Sequence, residues 1–435
     1  MRLNSEETRL AAPWSYWPAA AVLLLLLALT AGLAHRPEPA TTAALPTLAA
    51  YPWAYLRAGQ PVTTAEAVVD LIAVGDIMPG RGVAAASVDW VEANGWLATA
   101  DLTLGNLEAV LLDETPETVA APGQILLSGP ASAAAKLRAA GFDLVGVANN
   151  HALDHGPAGL AQSLSHLENA NLAVVGLAST VGAPQLVIRE AAGVRLAFLA
   201  FNAVPGISAD DGVLPRPAAW DPLTATEAIT AARQVADAVV VSIHWGYEYE
   251  PLPDPQQAEM AELMAAAGAD LIIGHHPHVA QPLALIGDTV VAYSLGNFLF
   301  DQSADNTPEG LAVRALFDSD GLRAVQLLPL QAGIRPVLQS PAGAAALLAR
   351  TLPPPPRLGV SCDELTCTTV QQPPAPAASA FYGDAIDLTG DGEPEIVRRV
   401  AGQVVIYEGG AEVWRTPPSW QIDDIALGDP NNDGR

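Results

Sequence analysis

The sequence has very little lysine, few basic residues and only two cysteines. Lys136 is the single lysine among 435 residues, and 20 basic residues stand against 47 acidic ones, for a formal net charge of −27 at pH 7. Such an acidic surface repels nucleic acid and anionic lipid headgroups, so we expect neither as a partner. Schiff-base chemistry is also not expected, because it requires an available lysine.

The two cysteines, Cys362 and Cys367, stand close together in the segment Cys-Asp-Glu-Leu-Thr-Cys. Two thiols without a nearby histidine do not form a structural zinc site. In an exported protein this spacing favours a small disulfide-closed loop with a local role.

Hydrophobic residues are plentiful, at 50% of the chain, and an uncharged apolar stretch runs from Trp17 to Ala34. As a helix this stretch would extend about 27 Å, just enough to cross a bilayer core. Arg2 and Arg9 precede it and favour an inside amino terminus. We therefore predict a single-pass anchor in the cell membrane with an extracytoplasmic remainder. A signal peptide cleaved after Gly32-Leu33-Ala34, followed by secretion, is the alternative.

Composition divides the chain into five predicted segments. They are a cytoplasmic tip with the membrane segment (1–35), a Pro/Ala/Thr-rich tether (36–66), the main domain (67–336), a Pro-rich connector with the cysteine pair (337–380) and a carboxyl-terminal region (381–435). The length suits one large domain with appendages.

Within the main domain, short apolar runs alternate with longer helix-like segments. The predicted strands are 68–74, 102–104, 143–147, 196–201, 238–243, 271–273 and 290–293, and the predicted helices are 131–140, 157–169, 224–236 and 255–267. This alternation predicts an α/β domain with largely parallel strand pairing.

Polar residues follow these predicted strands directly, where the carboxyl ends of strands converge on one crevice. In chain order the segments are Gly75-Asp76, Gly105-Asn106-Leu107-Glu108, Asn149-Asn150-His151 with Asp154, His244-Trp245-Gly246 and His275-His276-Pro277-His278. Six of the eight histidines lie in these turns: His151, His155, His244, His275, His276 and His278. This distribution predicts a metal site.

The side chains in these turns offer two kinds of metal ligand. Oxygen comes from Asp76, Asn106, Glu108 and Asn150, and imidazole nitrogen from His244, His276 and His278. The mixture suits two Zn, Mn or Fe ions rather than Mg or Ca alone. A pair of such ions clamps an anionic substrate and lowers the pKa of bound water toward about 7.

Together, these segments resemble the signature of the CapA family of capsule (poly-γ-glutamate) biosynthesis proteins. The resemblance runs from about Val68 to Leu330 and includes the segments that begin at His244 and at Ser294. The family is similar to calcineurin-like metallophosphoesterases, which implies a layered α/β/β/α sandwich with a dinuclear site. The resemblance implies that the metals are held by Asp76, Asn106, Asn150, His244, His276 and His278, and that Glu108 is the CapA-type addition to the site.

The resemblance also implies roles for residues beside the metals. His151 would protonate the leaving group or bind a substrate oxyanion, and Asp154 would orient it. Arg81 is a predicted anion contact, with a solvated arginine as the alternative. Two positions depart from the phosphoesterase pattern, because Met78 stands where a histidine is expected and Asn106 where an aspartate is expected.

Two functions follow from this pattern. The first is a metal-dependent hydrolase or transferase that acts on phosphate or amide bonds in the envelope. The second is a non-catalytic assembly factor whose metal site binds an envelope polymer, such as poly-γ-glutamate, or a membrane synthase partner.

The carboxyl-terminal segment carries a predicted calcium loop. Its oxygen ligands are Asp387, Thr389, Asp391, Glu393 and Glu395, spaced around a glycine turn. A similar pattern begins at Asp429, and the two resemble FG-GAP or VCBS-type repeats, which we expect to be truncated here. A calcium loop here would give the protein an accessory, calcium-dependent adhesion role. The alternative is that the segment is a plain Asp-Gly turn that binds no calcium.

Overall fold

The computed structural model describes residues 48–60, 62, 68–86, 89–114, 125–179, 183–207, 213–302, 307–352, 358–362, 367–371, 395–400, 403–408 and 411–415. All of them lie in the unit Leu45–Arg435. The predicted membrane segment and the predicted calcium loop before Glu395 lie outside the described residues, so both stay predictions. Among the helices that are described, none combines the length and the hydropathy of a membrane span.

Strands and helices alternate through the main domain, as predicted. The strands are β1 (Trp53–Leu56), β2 (Val69–Ile77), β3 (Leu102–Leu107), β4 (Val110–Leu112), β5 (Ser128–Pro130), β6 (Leu144–Gly146), β7 (Ala173–Val175), β8 (Val187–Ala191), β9 (Val194–Asn202), β10 (Ala238–His244), β11 (Leu271–His275), β12 (Leu283–Ile286), β13 (Thr289–Ala292), β14 (Asn297–Leu299), β15 (Glu309–Asp318), β16 (Gly321–Gln331), β17 (Val337–Leu338), β18 (Leu358–Cys362), β19 (Cys367–Gln371), β20 (Glu395–Val400), β21 (Gln403–Glu408) and β22 (Ala411–Arg415).

The helices are α1 (Arg81–Ala85), α2 (Trp90–Ala93), α3 (Ser132–Ala140), α4 (Gly156–Asn169), α5 (Pro222–Arg233), α6 (Pro255–Ala267) and α7 (Ala345–Thr351). The chain starts α6 with a capping box, in which Asp254 and Gln257 satisfy each other's backbone amides, and ends it at Gly268 with φ of 105°. A proline in the first turn and a left-handed glycine after the last are strong local helix signals.

Two large sheets build the domain, together with the two-stranded pair β4–β5. The larger has eleven strands in the order β19-β18-β1-β16-β15-β2-β3-β6-β7, with β14 beside β2 and β17 beside β16. The smaller has six strands in the order β12-β13-β11-β10-β9-β8. In each, the strands that precede the predicted metal ligands pair in parallel, so their carboxyl ends lie at one edge.

Alternate side chains of one strand pack on opposite faces of the sheet, as strand geometry requires. Leu71 of β2 joins a core shared with Phe198 and Val240 of the smaller sheet. Its neighbour Ile72 faces the other way, in a cluster with helix residues such as Leu137. Helices α5 and α6 cover the outer face of the smaller sheet in the same manner. The expected mixed α/β fold is confirmed.

Antiparallel strands are more extensive than the sequence predicts. The long hairpin β15–β16 pairs with β2 on one side and with β1 on the other. Parallel pairing therefore holds for the strands that lead to the predicted ligands and for some of their neighbours, such as β7 and β13. The sequence of β15 and β16 does not reveal which strands they pair with, because pairing is decided by packing against strands far away in the chain.

The fold also reaches into the ranges predicted to be tether and connector. Trp53 of β1 is buried, and β1 pairs with β16. Beyond Pro336, α7 packs Leu347 and Leu348 into the core shared by the two sheets. Alanine- and proline-rich composition hides these short apolar segments, because it resembles that of a linker.

The last described strands lie in the predicted connector, which contains β18 and β19, and in the carboxyl-terminal region after it. Strand β18 pairs with β1 and with β19, in a register that places Cys362 opposite Cys367, and the disulfide stays a prediction. Strands β20, β21 and β22 form a separate antiparallel sheet that begins at Glu395.

Candidate metal centre

Glycine precedes the polar turn in both sheets, because the backbone that links β13 to β14 passes too close for a side chain. A Cβ at Gly75 would lie 1.9 Å from the carbonyl oxygen of Gly296, and a Cβ at Gly274 would lie 1.9 Å from that of Tyr293. These approaches seat Asp76 and His275 at the ends of their strands. The Gly-Asp and Gly-His pairs in the sequence thus have a packing cause.

Asp76 lies at the centre of the cluster and is fully buried. Its Oδ1 accepts a hydrogen bond of 2.9 Å from the Asn106 side chain, and its Oδ2 accepts one of 3.3 Å from the His276 backbone. The Nδ1 atoms of His275 and His278 lie 3.1 and 3.3 Å from its oxygens. Burial by itself would raise the pKa of Asp76, but these two imidazoles hold it well below its usual range.

Asn106 links the two sheets. Its Nδ2 lies 3.4 Å from His244 Nδ1, and its Oδ1 accepts a hydrogen bond of 3.1 Å from the side chain of Asn149. Since this amide nitrogen also donates to Asp76, Asn106 positions the carboxylate and the imidazole at once. Asn149, which the sequence does not single out as a site residue, fixes the orientation of the Asn106 amide.

Glu108 is fully buried, and neither of its carboxylate oxygens has a hydrogen-bond partner. Three imidazoles surround Oε1, with the Nε2 atoms of His278, His151 and His244 at 3.7, 3.8 and 3.9 Å. Burial raises the pKa of Glu108 well above its usual range. A buried carboxylate without hydrogen bonds is costly unless a cation satisfies it.

His244 and His276 lie side by side, with ring centroids 4.8 Å apart. His244 Nε2 lies 2.8 Å from Oδ1 of Asn150, and Nδ1 of His276 is buried without a hydrogen-bond partner. Burial lowers the pKa of His244 well below its usual range, and burial together with His278 lowers that of His276 to about 3. Both rings are therefore neutral, the form that binds metal ions.

His278 differs, because carboxylates face it. Burial by itself would lower its pKa, but attraction to Glu108 and Asp76 raises it to about 9. Its Nδ1 lies 2.9 Å from Oδ1 of Asn297, whose side-chain amide donates to Gln302 at 2.9 Å. Asn297 therefore orients a predicted ligand.

His151 and Asp154 form a pair at the edge of the cluster. His151 Nδ1 lies 2.8 Å from Oδ2 of Asp154, which also accepts a hydrogen bond of 2.5 Å from the Leu127 backbone. The pair leaves Nε2 of His151 facing Glu108. The structure thus places His151 next to the predicted ligands with its ring held by Asp154, and its role as an acid stays a prediction.

Three overlapping groups of these side chains could each hold an ion, with ligand atoms within 4.8 Å of one another. They are Glu108, His244 and His276; Asp76, Glu108 and His278; and Glu248, His276 and His278. The predicted oxygen ligands Asn106 and Asn150 contact the same groups through His244. Glu248 was not predicted as a ligand, although it stands four residues after His244.

The aromatic residues after His244 differ in their exposure to solvent. Trp245 is buried, and its ring nitrogen donates to the Tyr293 carbonyl at 2.8 Å. Tyr247 and Tyr249 are 44% and 38% exposed, and the Tyr249 ring lies 6.1 Å from that of His278. Burial and the neighbouring Glu248 raise the pKa of Tyr249 to about 12. Of these three aromatic residues, only the tyrosines are available to a bound molecule.

Two further predicted positions lie beside the cluster. Arg81 pairs with Asp301 and stacks over Phe300, so its guanidinium is engaged in the folded chain, and its role as an anion contact stays a prediction. Met78 lies in an apolar cluster with Phe300, and its sulfur accepts from the Gly80 amide. At the Met78 position, the site therefore has no imidazole.

The fold and the site define a mixed α/β protein with buried carboxylates and imidazoles gathered at its strand ends. A model of the family described as "Bacterial capsule synthesis protein PGA_cap" matches residues 70–302. The chain belongs to this family.

Two curated relatives are similar over much of this chain. Capsule biosynthesis protein CapA of Bacillus anthracis is 34% identical over 271 residues, which are 59% of this chain and 66% of that protein. PGA biosynthesis protein CapA of Bacillus subtilis (strain 168) is 32% identical over 307 residues, 66% of this chain and 79% of that protein. The chain thus spans just under two thirds of the first relative's length.

Solved structures are more distant. A hypothetical protein from Thermus thermophilus matches with a TM-score of 0.40 and 17% identity, covering 60% of this chain and 98% of its own. NAD nucleotidase from Haemophilus influenzae matches with a TM-score of 0.38 and 10% identity, covering 70% of this chain and 54% of its own. Likeness at this level carries no argument about activity.

Proposed function

We propose that this chain holds two divalent transition-metal ions at its strand ends and acts as a metal-dependent hydrolase or transferase in capsule polymer synthesis. The observation that carries the proposal is Glu108, a buried carboxylate without a hydrogen-bond partner among three imidazoles. A cation between these side chains would satisfy the carboxylate oxygens.

The residues fit the group that they would hold. Neutral His244 and His276 offer nitrogen ligands, and Asp76 is kept ionised by its neighbours. Carboxylate and imidazole together favour Zn, Mn or Fe. Asn106 and Asn150 would supply amide oxygen or hold the imidazoles in place.

Two ions are favoured over one because Glu108 belongs to two of the ligand groups, one with Asp76 and His278 and one with His244 and His276. Because a carboxylate has two oxygens, Glu108 could be a ligand in both groups. Glu108 would then be the shared carboxylate ligand in place of the aspartate that the phosphoesterase pattern has at the position of Asn106. We also propose that the domain is an α/β/β/α sandwich of the metallophosphoesterase type.

When bound, such ions hold an anionic group and lower the pKa of water. The chain's own acid would be His151, whose Nδ1 is fixed by Asp154 and whose Nε2 faces Glu108. From there it would protonate the leaving oxygen or nitrogen of a phosphate or amide bond. Asp154 keeps the ring oriented through its 2.8 Å contact with Nδ1.

The substrate and location are also inferred. The relatives are named for capsule and PGA biosynthesis, and we propose a poly-γ-glutamate-like envelope polymer as the partner. The chain itself is strongly acidic, so contact with a polyanion would occur where metal ions reverse the local charge. A membrane anchor at residues 17–34 would place this site outside the cell, beside a membrane synthase, with secretion as the alternative.

The test compares two histidine variants of the purified full chain. We expect His244→Ala to weaken metal binding by at least about a hundredfold, because a direct ligand should matter no less than an outer partner, whose loss costs roughly 10–100-fold. His166→Ala is the matched control, because His166 lies on α4 beside Asp113 and outside the ligand groups. Equilibrium dialysis followed by metal analysis measures both. Equal metal content in the two variants would refute the proposed centre.

Turnover then separates the enzyme from an assembly factor. The metal-loaded chain is assayed on a generic phosphodiester and on γ-glutamyl peptides, with and without His151→Ala. Loss of turnover in this variant supports catalysis. Bound metal without any His151-dependent turnover supports the second function, a factor that binds polymer. The apolar environment of Met78 also favours this second function, because the site has one imidazole fewer at that position.

A further inference from the structure

One carboxylate on the solvent side of the site has no role in the function proposed above. Glu248 is exposed, yet one of its oxygens lies within 4.8 Å of ligand nitrogens on His276 and His278, both of which are buried. Exposed glutamates usually point into water, so this proximity requires a cause in the fold.

The backbone provides that cause. The amide of Tyr249, the residue after Glu248, donates a hydrogen bond of 2.8 Å to the carbonyl of Pro277, which stands between the two histidines. The turn that carries Glu248 is therefore tied directly to the turn that carries His276 and His278.

A second tie holds the same segment a few residues later. The side-chain amide of Gln281, which is fully buried, donates to the carbonyls of Glu250 and Leu252 at 2.9 and 3.0 Å. Gln281 is itself held by Gln257 at 3.0 Å. These contacts fix the 248–252 segment beside the histidine turn.

The histidine side also indicates a ligand. Nδ1 of His276 has no hydrogen-bond partner although the residue is only 6% exposed. A buried ring nitrogen without a partner is unfavourable unless something else satisfies it. An ion coordinated by the ring would relieve that deficit.

We propose that Glu248 is a metal ligand on the solvent side of the centre, where its carboxylate beside His276 and His278 contacts one of the two proposed divalent transition-metal ions. This inference rests on the proposed function and adds a residue to it. Because Glu248 is exposed, the ion that it contacts would be reachable from solvent, whereas Glu108 and Asp76 hold the buried side.

The test uses the full chain, stripped of metal and titrated with Mn²⁺ or Zn²⁺ by equilibrium dialysis. We expect Glu248→Gln to weaken the binding of one ion by at least about tenfold, the lower end of what an outer partner contributes. Glu259→Gln is the control, because Glu259 is an exposed glutamate on α6 and belongs to no ligand group. It should bind metal as the wild type does. Thermal unfolding of both variants checks that each is folded.

The outcomes separate this inference from the proposed function. If the wild type and Glu248→Gln bind the same ions with equal affinity, the role of Glu248 is refuted and the centre remains. If the wild type binds no ion, both fail. If Glu259→Gln weakens binding as much as Glu248→Gln, the effect comes from surface charge, and the role of Glu248 as a ligand is refuted.

Discussion

The two sheets contribute different chemistry to the same site. The larger sheet supplies oxygen, with Asp76 at the end of β2, Asn106 and Glu108 at β3 and Asn150 after β6. The smaller sheet supplies imidazole, with His244 at the end of β10 and His276 and His278 after β11. Neither set alone is typical of a transition-metal site, but their combination is. The site therefore depends on how the sheets pack together.

Each set also determines the ionisation of the other. Imidazoles from the smaller sheet keep the pKa of Asp76 low, and carboxylates from the larger sheet raise the pKa of His278 to about 9. His244 and His276, which are affected mainly by burial, stay neutral. At pH 7 the metal-free site therefore holds His244 and His276 as neutral rings and His278 as a protonated ring.

The largest effect should come from forcing apart the strands of the smaller sheet. Gly274→Ala places a Cβ 1.9 Å from the carbonyl oxygen of Tyr293 and 2.5 Å from the Trp245 ring nitrogen. The backbone at Tyr293 cannot move aside without disturbing the neighbouring strands, so we expect a loss of about 3 kcal/mol or more in the free energy of unfolding. Urea unfolding of the full chain measures it.

Gly146→Ala serves as the matched control in the larger sheet. Its Cβ would meet only ordinary contacts, the nearest being Ser242 Oγ at 3.6 Å. We expect a change within about 1 kcal/mol. Equal destabilisation by the two substitutions would contradict the idea that close backbone approach, rather than the mere loss of glycine, governs the strand end before His275.

Strand-end chemistry was predictable because its signals are local. A short apolar run followed by Gly-Asp or by His-Trp-Gly marks both a buried strand and the turn after it. Parallel strands then bring such turns to one edge. Asp76, Glu108, His244 and His276 were reached in this way, and the structure gathers them.

The parts that escaped prediction depend on contacts between residues distant in sequence. The pairing of β15 with β2 is set by packing, which strand propensity does not encode. Glu248 stands in an alternating aromatic segment, and it is brought close to His276 by the hydrogen bond from the Tyr249 amide to the Pro277 carbonyl, a contact between distant turns. The burial of Trp53 likewise follows from pairing with β16, a strand far away in the sequence.

The pH dependence of metal binding sharpens the comparison between the two sets of ligands. Glu108 and His278 both have raised pKa values in the metal-free chain, so the pair retains at least one proton at pH 7. An ion must displace that proton. Affinity should therefore rise about tenfold per pH unit from about pH 7 until it levels near pH 9. Calorimetry in buffers of different ionisation enthalpy counts the protons released.

His166→Ala should release as many protons as the wild type, since this residue lies outside the centre. Glu108→Gln should release fewer, because the carboxylate that raises the pKa of His278 is gone. An affinity that does not change between about pH 7 and 9 would show that the oxygen set does not control the protonation of His278.

The smallest effect concerns a residue that belongs to neither ligand set. Asn297, on β14 beside β2, orients His278 through the 2.9 Å contact between its Oδ1 and Nδ1. Asn297→Ala removes this contact and should weaken metal binding about tenfold, as the loss of an outer partner does. Asn297→Asp keeps an oxygen facing the ring and should retain most of the affinity. Dialysis with metal analysis measures both, and equal losses would mean that Asn297 acts through packing alone. In that case the orientation of His278 would depend on Asp76, and β2 would position this ligand without help from β14, its neighbour in the larger sheet.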